Sequence, residues 1–182
     1  MGLDQYLYRK TYVKNYSHEA PDKKYTFSIK QGGKEVKEID KTKVTHIEEE
    51  IGYWRKANAI HKWFVENTQD GEDNNGVESY VSKAQLTELL GLVDRVLDES
   101  KLVAGKVSNG QELKDGKFVD ILVDSKTIED PSIAKELLPT ESGFFFGGLD
   151  YDEYYLQNLE DTKKILEEAL KSAKTQAQII KA

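Results

Sequence analysis

The chain has 182 residues, 33 acidic against 26 basic side chains, a formal net charge of −7, and no cysteine. The absence of thiols excludes disulfides, thiolate metal sites and a cysteine nucleophile, and fits a reducing cytoplasm. The acidic balance argues against strong, sequence-independent binding to a phosphate backbone and favours a basic partner, though solubility alone also accounts for it.

No apolar run reaches the roughly 18 residues that would span a bilayer, and the N-terminus lacks the basic start and apolar stretch of a signal peptide. A cytoplasmic protein without membrane association is expected. The length suits one compact domain over residues 1–182, burying roughly 70% of the surface its unfolded chain exposes.

In chain order, Leu3–Val13 alternates and is rich in Tyr and Leu, which predicts a strand. Asn15–Lys24 carries Pro21 and reads as a loop, Tyr25–Lys30 as a second strand, and Gln31-Gly32-Gly33-Lys34 as a turn into a short edge strand over Glu35–Ile39. A long helix is predicted from about Val44 to Asn67, with Ile47, Ile51, Trp54, Ala57, His61, Phe64 and Val65 on one face. Trp63 falls on the opposite, polar side, where a large ring suggests a contact surface.

Ser82-Lys83-Ala84-Gln85 is a capping box, followed by a buried stripe of Leu86, Leu89, Leu90, Val93 and Leu97. Phe118–Val123 reads as a strand after a turn at Lys114–Lys117. Asp130-Pro131 opens a short helix that runs to Leu138. The last helix, about Asp152–Ile179, sets Leu156, Leu159, Leu166, Leu170, Ala173 and Ala177 at near-heptad spacing, suited to intramolecular packing or to a homo-oligomer. The expected fold is α+β, a small antiparallel sheet packed with two long helices and one or two shorter ones.

Chemistry-bearing patterns are sparse. Asp70–Gly76 resembles a calcium loop but has Asn75 where an EF-hand needs Gly and Val81 where it needs a bidentate Glu. His61 lies near Trp54, Asn58 and Phe64 on one helix face, without a serine or carboxylate at triad spacing. A core role is the simpler reading. Arg55 and Lys62 flank that face among glutamates. Gly143-Phe144-Phe145-Phe146-Gly147-Gly148 lacks the Gly-Lys-Ser/Thr of a phosphate loop, and with Tyr151, Tyr154 and Tyr155 forms an aromatic cluster suited to a protein interface. No metal ligand set, cofactor or catalytic constellation is expected.

Met1–Tyr8, Tyr53–Phe64, Leu138–Gly147 and Tyr151–Tyr155 resemble, nearly end to end, a family of small proteins encoded by phages and prophages of gut Firmicutes. Length, acidity and phage character are also similar to those of a type II-A anti-CRISPR, a protein inhibitor of Cas9. The resemblance implies stoichiometric binding to Cas9 or the Cas9–guide RNA complex in the bacterial host's cytoplasm, blocking its engagement with target DNA. Glu48, Glu49, Asp150, Asp152 and Glu153 would then steer association, and Trp63, Phe144, Phe145 and Phe146 would anchor it. The alternatives are a phage metabolic enzyme with a pocket around His61 and a structural homo-oligomer formed through the C-terminal helix.

Overall fold

Alternation along β1 (Asp4–Tyr12) buries Gln5, Leu7 and Arg9 on one side and leaves Tyr6, Tyr8 and Lys10 on the other. The computed structural model describes residues 2–73, 76–143, 146–171 and 177–181. A two-residue hairpin, β2 (Lys30–Gln31) with β3 (Lys34–Glu35), turns through Gly32 and Gly33, both at positive φ. It is all that forms of the strands expected over Tyr25–Lys30 and Glu35–Ile39. The Asn15 side chain takes the backbone N–H and C=O of Tyr25 at 2.7 Å each, occupying groups that a ladder would need.

The predicted long helix is a strand for most of its first half. β4 (His46–Arg55) pairs antiparallel with β1, and α1 (Asn58–Thr68) follows only after Lys56, which adopts a φ of 58°. A bulge explains the misreading. Gly52 opposes Leu7 but Glu50 opposes Tyr8, so Ile51 is an extra residue in the ladder. This insertion spaces Ile47, Ile51 and Trp54 by four and three residues, which imitates a helical stripe.

β5 (Glu78–Val81) leads into α2 (Lys83–Glu99), whose start is the predicted capping box. The Ser82 hydroxyl accepts from Gln85 N, and the Gln85 carboxamide accepts from Ser82 N. β6 (Leu102–Lys114) and β7 (Lys117–Ile128) form a long hairpin closed at Asp115-Gly116, both at positive φ. α3 (Ser132–Leu137) begins where the Asp130 carboxylate accepts from Ser132 N, and α4 (Glu153–Lys171) where Asp152 accepts from Tyr155 N.

Beyond α4 the expected helix gives way to β8 (Ala177–Lys181), as the β-branched Ile179-Ile180 favours a strand. β8 pairs antiparallel with both β1 and β5, completing the sheet order β4-β1-β8-β5. Ala173, part of the expected heptad pattern, lies outside the described residues.

The fold is α+β. Leu7 and Trp54 on the inner sheet face join Ile60 and Phe64 of α1, Leu86, Leu89 and Val93 of α2, and Leu159 and Leu166 of α4 in one core. The leucines of the supposed oligomer stripe therefore point inward. Trp54 Nε1 donates to Thr162 Oγ1 at 2.8 Å inside this core, a bond worth about 1 kcal/mol. Gly52 lets α4 approach the strand, because an added Cβ would run into Ile165 Cγ2. An ion pair of 2.7 Å between Lys163 and Asp94 ties α4 to α2. Among the described residues no helix is long and apolar enough to cross a membrane.

Candidate partner-binding surfaces

α1 is buried around its first two turns, including Asn58, Ala59, Ile60, His61, Trp63 and Phe64. Part of its cover is the segment after α3. Asn58 donates to Gly148 O at 2.9 Å and accepts from Glu141 N at 3.3 Å, so one carboxamide holds both ends of that segment. Lys62 Nζ lies 2.8 Å from a Glu141 carboxylate oxygen, and this bond holds the Glu141 carboxyl below its usual range and pushes Lys62 up. Phe146 meets the His61 ring edge-on at 5.3 Å, and His61 Nε2 lies 3.2 Å from Asp73 Oδ2. The Tyr53–Phe64 and Leu138–Gly147 segments, far apart in the chain, thus meet each other.

The described residues expected at the partner surface do not form one patch. Trp63 is only 6% exposed and packs edge-on against Phe64 at 5.3 Å, because the first two turns of α1 are covered on the Trp63 side as well as on the core side. Its expected role as an exposed anchor is thereby corrected. Phe144 and Phe145 lie outside the described residues, and Phe146 is partly covered against His61.

Glu48 and Glu49 lie on a strand rather than a helix and face opposite ways: Glu48 pairs with Lys10 at 3.1 Å, Glu49 with Arg9 at 3.1 Å. They are about 20 Å along β4 from its Arg55 end, at roughly 3.3 Å per residue. Asp150, Asp152 and Glu153 gather instead at the root of the β6–β7 hairpin. Asp150 accepts from Ser108 N at 3.0 Å, Asp152 caps α4 and bridges to Thr127, and Glu153 pairs with Lys126 at 3.2 Å. These acids fasten the hairpin to the body.

Between this root and the body lies a cleft of about 720 Å³, walled by Arg55, Lys56 and Asn58 on one side and by Ser108, Asp124 and Tyr154 on the other. His61 is not among its lining residues; it is buried behind Phe146 and Asp73. No group of three or more metal-ligating side chains occurs among the described residues.

Beyond the cleft the hairpin extends as a two-stranded arm. Leu113, Phe118 and Leu122 stand on one face, with Leu113 opposite Phe118, and Val119, Ile121 and Val123 on the other; all six are exposed, Phe118 to 73% and Leu113 to 65%. Sequence reading placed a strand at Phe118–Val123 but missed its role. Alternation with apolar residues on both faces was the available signal, since a ribbon that buries one face would leave the other polar.

No protein-family model matches the chain, and no curated protein and no solved structure matches it.

Proposed function

We propose that the protein acts by stoichiometric binding, as a phage-encoded anti-CRISPR protein that engages guide-loaded Cas9 and blocks its engagement with target DNA. The observation that carries a binding mode is the β6–β7 arm. It exposes Leu113, Phe118, Val119, Ile121 and Leu122 on a ribbon whose two faces are both uncovered at its outer end. Exposed apolar clusters of this kind mark contact surfaces, and aromatic anchors dominate interface energetics.

The choice of Cas9 rests on the resemblance of the Tyr53–Phe64 and Leu138–Gly147 blocks and on the charge of −7, because Cas9 holds its heteroduplex in a positively charged channel. In this reading Glu48, Glu49, Asp150, Asp152 and Glu153 contribute long-range attraction from two ends of the molecule. Phe118 and Leu113, not the buried Trp63, supply the anchor. The setting is the cytoplasm of the bacterial host.

The test is a titration of guide-loaded Cas9 with this protein, read as target-DNA binding. Inhibition should be half complete near equimolar protein and weaken by about tenfold or more in Phe118→Ser, the scale of an interface hot spot. Absence of inhibition at several-fold excess removes the proposal, and inhibition at a small fraction of the Cas9 concentration replaces it with an enzymatic mode.

A further inference from the structure

The outer face of the four-stranded sheet is a second surface, separate from the arm. Tyr6, Tyr8, Lys10 and Tyr12 of β1 project to this side, and the register brings Tyr53, Glu50, Glu48 and His46 of β4 beside them in that order. Across β8, Tyr80 and Glu78 of β5 are aligned with Tyr8 and Tyr6. Five of the ten tyrosines of the chain therefore share one sheet face, and Tyr80 is 62% exposed. Tyr6 stacks on Tyr8 at 5.9 Å and leans on Tyr53 at 5.0 Å, so these three rings form one aromatic cluster.

Acidic groups surround its middle. Partial burial and then the carboxylates of Glu50, Glu48 and Glu78 push the Tyr8 phenol up, so all three act on that ring. Lys10 bridges two of them, at 3.1 Å to Glu48 and 2.7 Å to Glu78. Glu50 has no ion-pair partner among the described residues. Arg55, which the β1–β4 register also places on this face, falls toward its Tyr6 end.

A platform of aromatic rings on an antiparallel sheet suits base stacking, but three carboxylates around Tyr8 repel a phosphate backbone. They suit a planar cation. A guanidinium stacks on a tyrosine ring and takes a neighbouring carboxylate through its fork of donors, whereas an ammonium does only part of this. We infer that this face, centred on Tyr8, Tyr80 and Glu50, docks an arginine-rich protein segment. The inference concerns a different surface from the arm, and Cas9 inhibition can fail while this face still binds arginine.

The experiment is fluorescence titration of the full chain with a short labelled peptide of alternating arginine and glycine, with the lysine counterpart, and with oligo-uridine RNA. The arginine peptide should bind about tenfold more tightly than the lysine peptide, as expected for stacking combined with a charged hydrogen bond. Glu50→Gln and Tyr80→Ser, both at exposed positions that leave the core intact, should each weaken it several-fold, while Phe118→Ser in the arm should not. Equal binding of the two peptides, no binding, binding unchanged in both variants, or preference for the RNA would each overturn the inference.

Discussion

Leu7, Trp54 and Leu166 in the body and Leu113, Phe118 and Leu122 in the arm are side chains of the same class in opposite surroundings. In the body, α1, α2 and α4 close over the inner sheet face, so each ring or methyl leaves water completely. In the arm, two strands pair over a dozen residues with no third strand and no helix on their outer half among the described residues, and the apolar groups stay in solvent. Burial of a large apolar side chain contributes about 1.5–3 kcal/mol, which the body collects on folding and the arm leaves available for a partner. An isolated two-stranded ribbon is marginal in water. Here it is held at its root by Asp150, Asp152 and Glu153.

The largest expected effect breaks the body. Leu166→Glu places a carboxylate at a fully buried position of α4 and should unfold the protein or cost more than about 4 kcal/mol, measured by urea denaturation. Were α4 instead the seam of an oligomer, the same change would give a folded monomer, which light scattering distinguishes. Next comes Gly52→Ala, where the new methyl meets Ile165 across the sheet–helix contact; a loss of about 1–3 kcal/mol is expected, with a shift of the denaturation midpoint. The smallest effect on stability should come from the arm. Phe118→Ser removes an exposed ring and should change stability by no more than about 0.5 kcal/mol, so that thermal melting stays unchanged while the Cas9 binding we propose would weaken.

Local signals in the sequence agree with the fold where a few neighbouring residues decide the outcome. The Ser82–Gln85 capping box, the Gly32-Gly33 and Asp115-Gly116 turns and the Leu86–Val93 stripe all belong to this class. The errors share one cause. Ile47, Ile51 and Trp54 read as a helix because a bulge displaced the strand's period by one residue, and a bulge exists only relative to the partner strand. The helix wheel places Trp63 on a polar side that is covered in the fold, since a wheel drawn from one helix contains no information about what packs on its second face. The arm was legible as a strand but not as a projecting one.

What the sequence by itself determined is the α+β composition, the caps and the turns, because these follow from backbone preferences and hydrogen bonds within a few residues. It also set the acidic charge and the absence of thiol chemistry. Only the tertiary structure decided that the chain's last strand enters between β1 and β5. That pairing brings Tyr80 onto the face where β1 and β4 already set Tyr6, Tyr8, Tyr12 and Tyr53, and the packing of the body puts Trp63 in the core and leaves Phe118 in solvent. These outcomes depend on strands and helices far apart in the chain meeting, and alternation or helical spacing assigns a residue to a face without saying whether that face is covered.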